Sequence, residues 1–297
     1  MLQTLIKFLA TNAISAFMLS VGLRTDTALV TDLKHRWSLL LRALAVVWLG
    51  VPLLVIVAVW LLRVPPLGTA TLLLMAICPG VPLVVISTRR ASGSSRTALL
   101  VLLATVITAP VMVPLWAAVI ARISRFAFVV DAVTVLRVVI PGVILPFVIG
   151  RIINLVSQRA AVLLAKLAII VFVAGIAPAI AVLVVKAIPV LVAGSLQVFV
   201  ALVVVTLGAA VLGYAAGGPH APDRTALGYA AALGNPALAL AIAGRTVPTA
   251  EPLPLVAAYV LVRALTLVPF GLWTRRRGSR GGAPQVPHEI DVAHGPS

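Results

Sequence analysis

Acidic side chains are scarce in this chain, with seven Asp and Glu against 23 Lys and Arg. The seven are Asp26, Asp32, Asp131, Asp223, Glu251, Glu289 and Asp291, each expected in a loop or the tail. No apolar stretch then holds a carboxylate, which removes the usual intramembrane handle for proton or sodium coupling. It also removes the paired aspartates of an intramembrane protease. The four histidines, His35, His220, His288 and His294, also fall in loops or the tail, so no Ser/His pair lies within a span. Together with the single cysteine, Cys78, they form no HExxH helix and no paired Cys/His spacing, so no metal site is expected. One cysteine excludes an intramolecular disulfide. The glycines form no nucleotide-binding loop. The chain is not expected to be an enzyme.

What the chain has in abundance is apolar length. Apolar residues make up 62% and charged residues 10% of it, and the mean hydropathy is +1.19, far from the balance of soluble domains. A spanning helix needs about 20 mostly apolar residues. Nine stretches come close: 4 to 23, 39 to 61, 68 to 88, 98 to 120, 133 to 155, 161 to 184, 191 to 214, 226 to 244 and 253 to 273. The first carries only Lys7 before its apolar run and ends without a small-x-small cleavage site, so it reads as a span and not a signal peptide. The partner this implies is the lipid bilayer. The +16 charge, which in a soluble protein would suggest nucleic acid, is explained by basic loops, and no nucleic-acid partner is expected. Nothing in the sequence speaks to oligomeric state.

The loop charges also set an orientation. One set of alternate loops collects thirteen Lys and Arg, including Arg24, Lys34, Arg36, Arg89, Arg90, Arg96 and the four arginines after Trp273, while the other collects six. Positive loops stay in the cytoplasm, so the N-terminus is expected outside and the C-terminus inside. The basic, Pro- and His-containing segment 274–297 reads as a disordered cytoplasmic tail.

Two of the nine stretches are interrupted by helix breakers: Cys78-Pro79-Gly80-Val81-Pro82 and, 155 residues later, Gly234-Asn235-Pro236. Proline removes a backbone donor and clashes with the preceding turn, and glycine costs about 1 kcal/mol relative to alanine in a helix. Unwound backbone at bilayer depth is tolerated only where it is buried in protein or lines a watery cavity. Paired interrupted spans in corresponding halves mark the substrate site of inverted-repeat transporters. Residues 1–273 therefore read as one transmembrane domain with repeats over 1–120 and 133–273. The first repeat lacks one helix, which puts each break in the fourth position of its repeat.

Other residues carry a family resemblance. Cys78-Pro79-Gly80 followed by a basic Gly/Ser loop and a Thr- and Pro-containing span, Asn235 followed by Ala237-Leu238-Ala239, and Met18-x-x-Val21-Gly22-Leu23 at the end of an early helix together resemble the bile acid:sodium symporter family. The resemblance implies an all-α integral membrane protein of the sodium/proton antiporter fold, with two broken helices crossing in a core domain beside a flatter panel domain. It implies organic anions as substrates, from bile salts to small carboxylates. The substrate site expected from the breaks and this resemblance comprises Pro79, Gly80, Pro82, Thr105, Thr108, Gly234, Asn235, Pro236 and Arg263.

Departures from the family pattern concern sodium. A Ser-Asn pair that helps to hold the ion in the family corresponds to Val84 and Val85, and a Glu and a Gln correspond to Ala230 and Gly234. The oxygens that remain are backbone carbonyls at the breaks, the Asn235 amide, and the hydroxyls of Thr105 and Thr108. No cofactor is expected, and sodium coupling of the family type is expected to be weak or absent. The spans instead carry cations at Arg42, Arg137, Lys166 and Arg263. Arg42 and Arg137 sit near helix ends, where long side chains snorkel to the interface. Lys166 and Arg263 lie deeper and are candidates to neutralise an organic anion or to stand in for a sodium ion. Two alternatives to organic-anion transport stay open: an arsenite-type metalloid permease using Cys78, and a membrane sensor or assembly subunit that transports nothing.

Overall fold

Prolines and glycines interrupt the helices of this protein at two places, while Pro110, Pro114, Pro178, Pro189 and Pro269 lie inside continuous helices. The computed structural model describes residues 2–26, 35–123, 130–193, 195–246 and 252–280. These form α1 (Leu2–Arg24), α2 (Trp37–Leu62), α3 (Pro66–Ala76), α4 (Leu83–Arg90), α5 (Ser95–Ile123), α6 (Ala132–Val156), α7 (Gln158–Ala193), α8 (Leu196–Ala216), α9 (Ala221–Ala232), α10 (Pro236–Thr246) and α11 (Pro252–Arg280). Among the described residues there is no β-strand, only one isolated bridge. Pairs α3–α4 and α9–α10 are the two interrupted stretches. The nine expected stretches correspond to α1, α2, α3–α4, α5, α6, α7, α8, α9–α10 and α11.

Among the described residues six helices, α2, α5, α6, α7, α8 and α11, are long and apolar enough to cross a membrane. Their outer surfaces carry large apolar side chains, such as Val111 at 70% and Val156 at 81% exposure. Exposed apolar surface on this scale is tolerated where the solvent is lipid. The chain is an all-helical integral membrane protein.

The boundaries show where tertiary structure overrides the sequence pattern. Helix α7 runs on to Ala193, through Pro189, so Lys186 lies inside a helix and not in the loop where it was expected. Helix α11 continues past Trp273 to Arg280, which makes the first part of the expected tail helical. The remainder of that tail, and Asp32, Lys34, Arg125, Glu251, Glu289 and Asp291, fall outside the described residues. Asp223 is a correction. It sits in the first turn of α9 and is 7% exposed, held by Arg36 at 3.0 Å and by the Thr97 hydroxyl. The sequence Ala221-Pro222-Asp223 puts proline and an acid at a helix start, where both are favoured.

Prolines also shape α2. Pro52 has no N–H to give the carbonyl of Trp48, one turn back, and a π-helical turn covers Val46–Gly50. Trp116 of α5 fills that vacancy, its Nε1 donating to the Trp48 carbonyl at 2.6 Å. Trp48 in turn donates its own Nε1 to Thr108 at 2.9 Å. Two indoles thus tie α2 to α5.

Helix packing falls into two groups. α1 lies mainly against α6 and α7, while α2, α5, α8 and α11 surround the breaks, and one apolar cluster runs through both groups, taking in Phe17 of α1, Val139 of α6 and Phe172 of α7. In the first group α1 and α6 touch backbone to backbone: a Cβ placed on Gly150 would lie 2.8 Å from the Leu23 nitrogen, and one on Gly22 3.1 Å from the Arg151 nitrogen. The groups meet partly along α7 and α11, where Ala187 packs with Ala257 and Ala258.

Because backbone and not a pliable side chain would be struck, Gly150→Val forces α1 and α6 apart. The substitution is expected to cost about 2 kcal/mol and to lower the apparent Tm of the detergent-purified protein. An unchanged Tm would show that the two helices are not held at this separation.

Candidate functional site

The two breaks meet. Pro79 and Gly234 form an antiparallel bridge, and Asn235 holds the crossing from both sides. Its backbone N–H donates to the Cys78 carbonyl at 2.5 Å, and its side-chain Nδ2 donates to the Gly80 carbonyl at 3.2 Å. The Oδ1 atom of the same amide accepts from Ala237 N at 3.1 Å and Leu238 N at 3.2 Å. Asn235 is therefore the N-cap of α10, with Pro236 at the first helical position, and also the clamp on the opposite break. Asparagine can do both because its amide carries two donors and an acceptor.

Gly80 adopts φ +85°, a region that L side chains rarely occupy. A Cβ there would also press to 3.1 Å against Val106 and 3.4 Å from the Thr105 hydroxyl. Thr105 and Thr108 accordingly lie on the α5 face that backs the first break. Both hydroxyls donate into their own helix, Thr105 to Val101 and Leu102, Thr108 to Ala104 and Thr105. Pro82 is buried at the entry to α4, and Val84 and Val85 behind it pack into the apolar core.

The four span cations separate sharply. Arg42, Arg137 and Lys166 are exposed, whereas Arg263 of α11 is 3% exposed. Its Nη2 donates to the Tyr259 hydroxyl one turn earlier, and the guanidinium carbon lies 4.5 Å from the Tyr259 ring centre. Nε and Nη1 have no hydrogen-bond partner. Nη1 comes within 2.9 Å of where a Cβ on Gly234 would stand, and that same point is 2.9 Å from the Met75 carbonyl oxygen and 3.3 Å from that of Cys78. A small cavity there is lined by Val47, Met75, Pro79, Leu233, Gly234 and Arg263, among others. Pro79, Gly234 and Arg263 thus line one cavity, Asn235 ties Gly80 to the second break beside it, and Thr105 lies immediately behind Gly80. Thr108 is one turn farther along α5, joined instead to Trp48.

Residues 11–210 match the family model described as Sodium Bile acid symporter family. The chain belongs to that family. No curated protein matches it. The matched stretch contains the first break and ends before the second, so family membership and the crossing at Asn235 are independent observations. Membership makes the chain a membrane transporter of the bile acid/sodium symporter type, in a family whose members are transporters and not enzymes.

Sequence reasoning missed Tyr259 and the Arg36–Asp223 pair. Tyr259 and Arg263 stand four residues apart on one helix, a spacing that brings side chains together, so the signal was present.

Asn235→Ala removes the clamp and the cap at once and leaves the Gly80 carbonyl without its donor. It is expected to destabilise the protein by about 2 kcal/mol, with Asn235→Asp recovering the cap but not the bond to Gly80. Thermal unfolding of the three proteins orders them wild type, Asp, Ala; equal stability of the wild type and Ala would remove Asn235 from this role.

Proposed function

We propose that this protein is a secondary-type transporter of small organic anions, carboxylates or bile-salt-like molecules, that alternates access around the two broken helices. The observation that carries this reading is Arg263, a buried guanidinium with two unpartnered nitrogens at the point where the breaks meet. Burying such a charge costs several kcal/mol unless it is compensated, and intramembrane cations of this kind face functional cavities. No carboxylate of a described residue approaches it: Asp223 is engaged by Arg36 and Thr97 at the end of α9. An anionic solute supplies what the protein omits. The antiparallel sense of the Pro79–Gly234 bridge supports two halves of opposite orientation.

The orientation follows from the charge asymmetry, with the C-terminus cytoplasmic. Loops assigned to that side do touch one another: Arg36 pairs with Asp223, Arg96 with Asp26 at 3.5 Å, and the Thr274 hydroxyl donates to the Ala91 carbonyl at 3.3 Å. Use of Cys78 for soft metalloids has no comparable support. Its residue is fully buried, as expected of a small apolar packing residue.

Uptake and thermal-shift screens on purified protein with acetate, benzoate, pyruvate and taurocholate are expected to find at least one stabilising ligand. Arg263→Gln is expected to weaken that ligand's binding by roughly 10-fold or more, the worth of a hydrogen bond to a charged group. Cys78→Ser should leave it unchanged. Arsenite transport abolished by Cys78→Ser, with no carboxylate bound, would replace the anion reading with the metalloid one.

A further inference from the structure

We infer that Arg263 is the resident cation of this transporter, standing where a symporter would bind a sodium ion, so that a transported monoanion crosses alone and carries its net charge with it. This rests on the anion-transport reading. The place Arg263 occupies is a cation site by its surroundings. Half-helix α3 ends at Ala76, and the C-terminal end of a helix carries partial negative charge on carbonyls that have no helical partner. The Met75 and Cys78 carbonyl oxygens and the Arg263 Nη1 atom all lie within 3.3 Å of one point beside Gly234. A guanidinium nitrogen has been delivered by α11 to the negative end of the broken helix.

Several of the oxygens at the crossing already have partners. The carbonyls of Cys78 and Gly80 accept from Asn235. Oδ1 of Asn235 accepts twice in capping α10, and the Thr108 oxygen accepts from Trp48. Val84 and Val85 offer only methyl groups to the buried side of α4. Sodium prefers several oxygen ligands, as other hard cations do, and a fixed positive charge in the same place repels it. Tyr259 holds the guanidinium by its ring and its hydroxyl, leaving Nε and Nη1 for an anion.

A sodium ion that binds with the substrate also travels with it and cancels its charge. Arg263 cannot travel, because it is covalently part of α11. Each turnover with a monoanion therefore moves one net negative charge across the membrane. A potential of about 100 mV, inside negative, then favours outward over inward movement by about 2.3 kcal/mol, roughly 50-fold. The energised direction for a monoanion is export.

Two measurements on the purified full-length protein test this. In the first, with no organic ligand, the apparent Tm is compared in sodium chloride and choline chloride. A difference within about 1 °C is expected, and stabilisation by sodium of more than about 3 °C overturns the inference by revealing a sodium site. In the second, taurocholate and benzoate uptake into proteoliposomes is followed under potassium/valinomycin potentials. Uptake is expected to ignore sodium, to rise several-fold when the interior is made positive, to be lost in Arg263→Gln and to persist in part in Arg263→Lys, which keeps the charge. Uptake driven by a sodium gradient and indifferent to potential overturns it. If no carboxylate binds or moves, the anion reading fails, while the sodium comparison still decides whether Arg263 has displaced the ion.

Discussion

Asn235 reaches both breaks at once, and the rest of the site depends on that reach. Helices that stop inside a bilayer leave carbonyls and N–H groups without water to satisfy them, and each such group costs several kcal/mol. Here one side chain and its own N–H serve the carbonyls of Cys78 and Gly80, while the amide oxygen serves the first turn of α10. The bridge between Pro79 and Gly234 follows from the same contact. Without it two unwound segments would be a defect; with it they are a fixed frame against which Arg263 can be placed.

That frame explains the unequal fates of the four span cations. Arg42, Arg137 and Lys166 reach the outside of the bundle, where a long side chain can find the interface or a lipid headgroup. Arg263 alone points inward, and its environment is built for it. Gly234 leaves room that any Cβ would fill, α3 presents carbonyls, and Tyr259 covers one face. A family described by sodium and bile acid is represented here by a chain whose crossing is already positively charged.

Much of this was legible in the sequence because proline, glycine and asparagine act locally. The breaks at Pro79–Pro82 and Gly234–Pro236, the threonines behind them and the extent of most spans could be read from residue type and length alone. Burial could not. These helices are apolar on every side, so no 3.6-residue stripe says which face turns inward, and depth along the helix ranked Lys166 beside Arg263. The structure separates them because rotation about the helix axis is fixed by packing. Asp223 was misassigned for a related reason: its neighbours are polar enough to look like a loop, yet Arg36 and Thr97 draw it into the end of the bundle.

The two kinds of helix contact in this fold have different mechanical consequences. Where Gly22 meets Gly150, main chain rests on main chain, and no layer of side chains remains that could rearrange, so α1 and α6 act as a single strut. Between α7 and α11 the most buried facing residues are Ala187, Ala257 and Ala258, with the larger Leu183, Val190, Leu191 and Leu261 packed around them. That layer of side chains, unlike a backbone contact, can repack as the helices shift. One seam is fixed and the other can rearrange, and a relative displacement of the two helix groups would run along the second.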